Sequence, residues 1–150
     1  MKLSTRARYA LRMMLEIARD PGDVPISLGT VAEKTEISRR YLDQLAIGLK
    51  RASLVRGRSG KGGGYQLTRS PKSISARQII EAAIGPVNIV DCVGEPQTCL
   101  RSGGCECRSV YELINVRIND VLDEISLADL VDREGLPGLV GSLKIKHGVH

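Results

Sequence analysis

At 150 residues and 42% hydrophobic content the chain is long enough for a small domain with an appendage, but with no Phe or Trp and only four Tyr its core must be aliphatic. The net charge of +5 is unevenly divided: residues 1–80 carry 16 Lys and Arg against 6 Asp and Glu, and residues 81–150 carry 6 against 11. A basic half joined to an acidic half suggests a nucleic-acid surface on the first, and no apolar run approaches the ~18 residues of a membrane helix.

The N-terminus is acid-poor and punctuated by Arg6, Arg8, Arg12 and Arg19, in the manner of a transit peptide. The arginines break the apolar run that a secretory signal needs, and the segment is required as a helix of the fold, so a cytoplasmic protein is expected. That first helix starts with Ser4 or Thr5 as its cap and buries Ala10, Met13, Met14, Ile17 and Ala18. It ends before the turn cluster Asp20-Pro21-Gly22-Asp23, and Val24-Pro25-Ile26 forms a short extended piece. Ser27 caps a second helix, Leu28 to about Thr35, with Leu28, Val31 and Ala32 inward. After a tight turn at Glu36-Ile37, Ser38 caps a third helix from Arg39 to about Ala52, whose stripe is Leu42, Leu45, Ala46 and Leu49.

Two short helices joined by a tight turn, the second basic, form a helix-turn-helix. Leu54-Val55-Arg56 and Tyr65-Gln66-Leu67-Thr68 read as strands around the tip 57–64, and a helix-turn-helix followed by a glycine-rich basic hairpin is a winged helix. Ser73-Ile74-Ser75 leads into a fourth helix with Ile79, Ile80, Ala83 and Ile84 inward, ending at Gly85-Pro86. A long amphipathic helix, about Ser109 to Glu124, places Val110, Leu113, Ile114, Arg117, Ile118, Val121, Leu122 and Ile125 at near-heptad positions. Such a stripe is best buried against a second copy, which argues for a homodimer, with the chain's own first helix as the alternative cover. A short helix begins at Ser126, and from Gly135 a flexible tail is expected, carrying His147 and His150 as solvated side chains. The expected fold is mainly α with a small β-hairpin. A winged helix-turn-helix domain spans 1–85, a cysteine-rich loop 86–108, a dimerisation helix and short terminal helix 109–134, and the tail 135–150.

For DNA, the third helix offers Ser38, Arg39, Arg40, Tyr41, Asp43 and Gln44 at the end that enters a major groove and points a positive dipole at phosphate. Gln44 can pair with adenine, an arginine with guanine, and Asp43 can accept from a cytosine amino group or exclude unwanted sites. Lys50, Arg51 and Arg56 suit backbone phosphates, while Arg58 and Lys61 sit on a tip slim enough for a minor groove.

The chain's four cysteines, Cys92, Cys99, Cys105 and Cys107, fall within sixteen residues at C-x6-C-x5-C-x-C spacing, among glycine, proline and polar residues that cannot build a core. Thiolates favour soft metals, zinc and iron–sulfur clusters among them. The paired C-x2–4-C knuckles of a structural zinc are missing, which favours a cluster, with zinc and a redox disulfide as the open alternatives. An enzyme is not expected, because no nucleophile–base pair is recognisable and the glycine loop lacks the Lys-Ser/Thr ending of a phosphate loop.

Taken together, Met1-Lys2-Leu3-Ser4-Thr5-Arg6-Ala7-Arg8-Tyr9-Ala10, Ile37-Ser38-Arg39-Arg40-Tyr41-Leu42-Asp43-Gln44-Leu45, Gly60-Lys61-Gly62-Gly63-Gly64-Tyr65-Gln66-Leu67 and the cysteine loop resemble the Rrf-type winged-helix regulators, the family of the iron–sulfur cluster regulator IscR. The resemblance covers about residues 1–132. It implies a homodimeric transcription factor, a repressor or dual regulator of a double-stranded operator. A cluster on Cys92, Cys99 and Cys105, [2Fe-2S] before [4Fe-4S], would set DNA affinity or choice of site and depend indirectly on cluster-assembly machinery. Three departures qualify it. Arg108 occupies the place of the pattern's histidine ligand, leaving Cys107 as the substitute or a spare thiol. Arg8 and Arg12 stand where some sensors of the family carry an acidic ligand, and a guanidinium cannot ligate iron. Ser59 stands where the wing often has arginine. The rival expectations are a nitric-oxide or peroxide sensor of the same family, and a zinc or cluster carrier that docks on an acidic partner.

Overall fold

The computed structural model describes residues 2–19 and 24–146, which form eight α-helices and one two-stranded sheet. Helix α1 (Thr5–Arg19) runs through the middle of the molecule, packed on α2 (Leu28–Thr35), α4 (Ala76–Ile84) and α7 (Leu127–Val131). Its Ala10, Met13, Met14 and Ile17 join Val31 of α2, Leu42, Leu45 and Leu49 of α3 (Arg39–Arg51), Ile79 of α4 and Leu127 of α7 in one aliphatic core. The turn cluster 20–23 and the two tail histidines lie outside the described residues.

Serine hydroxyls open most of these helices. Ser4 accepts from the Ala7 amide, Ser27 from Thr30, Ser38 from Tyr41, Ser75 from Gln78 and Ser126 from Asp129. Each satisfies one of the amides that a helix N-terminus leaves unpaired. At Ser75 and Ser126 the third residue reaches back to the cap amide, closing a capping box.

The wing is an antiparallel pair, β1 (Val55–Arg58) and β2 (Gly64–Leu67), in the register Val55↔Leu67 to Arg58↔Gly64. Both strands sit closer to the tip than their composition suggested, so Arg58 closes the ladder and Ser59 to Gly63 form the tip. The extended piece before α2 adds a third rung: Ile26 N–H donates to the Tyr65 carbonyl at 2.9 Å, and Tyr65 N–H to the Ile26 carbonyl at 2.8 Å. This contact needs glycine next door, since a Cβ on Gly64 would lie 2.3 Å from the Ile26 oxygen.

After α4 the chain passes through α5 (Asp91–Gly94) to α6 (Glu106–Glu124), α7 and α8 (Leu136–Lys146). Helix α6 begins three residues before its expected start, with Cys105 as its cap residue and Glu106 in a first turn that favours acidic residues. Helix α8 corrects the expectation of a structureless tail. Leu136, Leu139, Val140 and Leu143 recur at helical spacing, Pro137 falls in the first turn where it is tolerated, and Lys146 pairs with Glu124 of α6. No helix among the described residues is long and apolar enough to cross a membrane.

The end of α6 is stitched to the start of α4. Ala76 N–H donates to the Ile125 carbonyl at 2.8 Å, Leu127 N–H to the Ile74 carbonyl at 2.7 Å, and Leu127 is fully buried in the core. Beside them, hydrogen bonds to Asp123 and then Glu81 hold the Arg77 guanidinium above its ordinary value.

Helices α3 and α4 meet without a spacer, because a Cβ on Gly48 would lie 2.2 Å from the Ala82 carbonyl oxygen. Gly48→Ala therefore cannot be absorbed by a side-chain adjustment. It is expected to destabilise the protein by about 1–3 kcal/mol, read as a fall in the thermal midpoint, although alanine is the better helix former.

Candidate nucleic-acid interface and cysteine arm

The buried stripe of α3 turns Ser38, Arg39, Arg40, Asp43, Gln44 and Lys50 outward. None of Arg39, Arg40, Asp43, Lys50, Arg58 and Lys61 takes part in an ion pair among the described residues, so these charges are available to an external partner. Tyr41 differs from the others. It is half-buried, its ring meeting Tyr9 of α1 edge-on at 5.3 Å, with the Arg12 guanidinium 5.8 Å from the Tyr9 ring centre. Its ring thus anchors the first turn of α3 to α1. From the other side Arg6 donates from Nε to the Ala83 carbonyl at 2.6 Å and from Nη2 to the Gln44 carbonyl at 3.4 Å, joining α1, α3 and α4.

In the wing, Arg58, Ser59 and Lys61 are all exposed. Arg56 is engaged within the hairpin, where the side-chain carbonyl of its cross-strand partner Gln66 accepts from Nε at 3.1 Å and from Nη2 at 2.6 Å. Helix α3 and the wing tip thus each expose basic side chains, Arg39, Arg40 and Lys50 on the one and Arg58 and Lys61 on the other.

The four cysteines lie on an arm between α4 and α6, built from a strap at 85–90, α5 and two single 3-10 turns, Pro96–Thr98 and Ser102–Gly104. Two asparagines of α6 hold the strap. Asn115, buried at 7% exposure, accepts from Ile89 N–H at 2.9 Å and donates to Asn88 Oδ1 at 3.4 Å, and Asn119 donates to the Val87 carbonyl at 3.3 Å. Neither asparagine is legible as a site residue from a period count, which registers α6 only as apolar. A polar residue that interrupts such a stripe is the available signal.

Cys92, Cys99 and Cys105 are half-buried, Cys107 is exposed on the first turn of α6, and all four are free thiols. Among the described residues no three His, Cys, Asp or Glu side chains converge in a metal-holding arrangement. The donors suit a soft metal or a cluster in kind, but the fold brings them onto one arm without preforming their convergence. Arg108 pairs with Glu112 at 3.1 Å and donates to the carbonyl of Ser102 on the arm at 3.4 Å.

Beyond the arm, the N-terminal part of the apolar face of α6 has no cover among the described residues. Val110, Leu113, Ile114 and Val116 are 40–59% exposed, and the helix packs on α4 and α5 along its other side.

A helix-turn-helix followed by a two-stranded basic wing defines the winged-helix class, the architecture of many DNA-binding regulators. Comparison with known proteins narrows the class. The chain belongs to the Rrf2 family, whose model, described as an iron-dependent transcriptional regulator, matches residues 3–133. A putative HTH-type transcriptional regulator of Azotobacter vinelandii is 38% identical over 140 residues, covering 93% of this chain and 85% of the relative. The solved structure of CymR, the global cysteine regulator of B. subtilis, superimposes with a TM-score of 0.74 at 34% identity, covering 87% of this chain and 96% of that one. T. potens IscR superimposes with a TM-score of 0.69, also at 34% identity, covering 87% of this chain and 86% of that one.

Removing Asn115 strands the Ile89 amide. Asn115→Ala should cost about 1–3 kcal/mol in chemical denaturation, and should speed hydrogen exchange at Ile89 more than in the core of α3.

Proposed function

We propose that this regulator grips duplex DNA as a homodimer and that the state of its cysteine arm sets the grip. In this reading residues 1–85 bind DNA, 86–108 sense, and 109–134 dimerise through the uncovered face of α6. Ser38, Arg39, Arg40, Tyr41, Asp43 and Gln44 lie at or behind the major groove, and Lys50 holds a phosphate. Arg58, Ser59 and Lys61 work at the wing. The protein acts in the cytoplasm, where thiols stay reduced.

The resident group best matched to the donors is an iron–sulfur cluster, [2Fe-2S] before [4Fe-4S], held by Cys92, Cys99 and Cys105 with Cys107 as the fourth thiolate. When bound it would supply a centre that iron and sulfide supply fill and oxidants empty, and it would be delivered by cluster-assembly machinery. The observation that carries this reading is the arm itself: four unpaired thiols on a segment tied by Asn115 and Asn119 to the helix with the uncovered apolar face. The likeness to IscR supports it. The chain's own part is mechanical. A change in the arm pulls on the strap at Val87 to Ile89, which continues from the C-terminus of α4, and α4 lies against the recognition helix at Gly48.

A second reading has its own support. The thiols are not gathered into a ligand set, and the relatives of known structure include a Staphylococcus aureus CymR solved in an oxidized form. Under that reading the thiols respond to oxidants directly, with no resident cluster. A nitric-oxide or peroxide target at the cluster is a variant of the first reading.

Lys61→Ala should reduce the steepness of log K against log salt by about 0.9 per wing engaged, since each neutralised phosphate contributes that much. For the sensor, Cys92→Ala is expected to leave the dimer folded and bound to DNA while abolishing the change in affinity that follows anaerobic loading with iron and sulfide. A variant that still responds to loading would contradict the cluster reading.

A further inference from the structure

Ile47 stands at the centre of the surface that α3 turns outward. Arg40, Asp43, Gln44, Ile47 and Arg51 follow the i, i+3, i+4, i+7, i+11 spacing of one helix face, opposite the buried Leu42, Leu45, Ala46 and Leu49. Four of the five are polar or charged and exposed. Ile47 is apolar and still 53% exposed, the one large exposed hydrophobic side chain on this helix. Packing does not explain it, since its side chain lies outside the core cluster. Helix formation does not explain it either, since a β-branched residue is a poorer choice than alanine on an exposed helix. Ile47 itself lines an open groove together with Arg6, Gln44, Arg51, Glu81 and Ala82.

The surface around Ile47 is otherwise suited to DNA, and the major groove offers one apolar group to a side chain, the 5-methyl of thymine. Ile47 lies three residues past Gln44, about 4.5 Å further along the helix axis, against a base-pair rise of about 3.4 Å. If Gln44 meets a base edge, the next turn meets a neighbouring base pair. We infer that Ile47 is a specificity-determining residue that reads a thymine methyl one or two base pairs from the position read by Gln44. Its β-branched side chain is stiff at χ1, which suits selection of a methyl over an open edge. The inference rests on α3 being the reading helix and adds to that reading the base it selects.

The test uses full-length protein and a duplex obtained by selection from a randomised library. Each thymine of the selected site is replaced in turn by deoxyuridine, which removes only the 5-methyl and keeps the pairing edge. With wild-type protein, one such replacement per half-site should weaken binding about fourfold, the value of one buried methyl. The same replacement should leave the affinity of Ile47→Ala unchanged, and repeating the selection with that variant should remove the thymine preference at that position. No sensitive position, or equal losses in wild type and Ile47→Ala at every position, would overturn the inference. It would then mark Ile47 as a protein contact. Arg40→Ala and Gln44→Ala run in parallel separate the two levels. If both keep wild-type affinity and select the same sequences, α3 is not the reading helix and the inference falls with it. If they lose affinity while no methyl matters, only the role of Ile47 fails.

Discussion

Helix α6 is fastened to the rest of the chain at two places, and under the proposed function the cysteine arm acts on DNA through them. At its C-terminal end the fastening is mainly backbone: the paired amides and carbonyls of Ile74, Ala76, Ile125 and Leu127, flanked by the Arg77–Asp123 pair and sealed by Leu127 in the core. Nearer its middle the fastening is side chain: Asn115 and Asn119 gripping the strap that leads to Cys92. The two differ in kind. Breaking the first would expose a fully buried leucine and strand several amides, so it moves with the global fold. The second consists of a few polar contacts at the edge of the core, where opening is cheaper. A signal from the arm is therefore expected to act on the strap and leave the Leu127 joint closed.

The short path from strap to DNA surface follows from the absence of slack between α4 and α3. Gly48 lets the Ala82 carbonyl approach α3 directly, and Arg6 bridges the carbonyls of Ala83 and Gln44, so α1, α3 and α4 are tied into one body. In a dimer joined through α6, a small rotation of that body changes the separation of two recognition helices, which must match the spacing of half-sites. The coupling required is small, since about 1.4 kcal/mol alters a binding constant tenfold. The basic surface itself need not change, and its unpaired arginines and lysines keep their affinity for phosphate in either state.

Most of the winged helix was legible in the sequence because each element there is signalled twice, by an apolar period and by a serine cap or glycine turn. Ser38 before Leu42, Leu45 and Leu49 is such a case, and Ser75 before Ile79 and Ile80 is another. The wing strands were displaced toward the tip because glycines at 57 and 64 read as loop, whereas the structure uses Gly64 in a strand to let Ile26 come close. Helix α8 was hidden for a related reason: Pro137, Gly138 and Gly141 suggested a tail, outweighing the leucines at helical spacing between them. Of the arm, the sequence shows four clustered thiols as candidate donors, while the Asn115 and Asn119 contacts join positions more than twenty residues apart, which no local period encodes. Ile47 carries no periodic signal, because it is a single apolar residue on the face opposite the buried stripe.

Protein purified without oxygen should be assayed for iron and acid-labile sulfide, and the same sample titrated with its selected duplex before and after the metal is removed by chelation. Near-equal iron and sulfide together with a tenfold or larger change in affinity on removal is the expected result. A sample free of iron and sulfide after reconstitution, or a loaded sample whose affinity does not change when the cluster is stripped, would contradict control of DNA binding by a cluster on the cysteine arm.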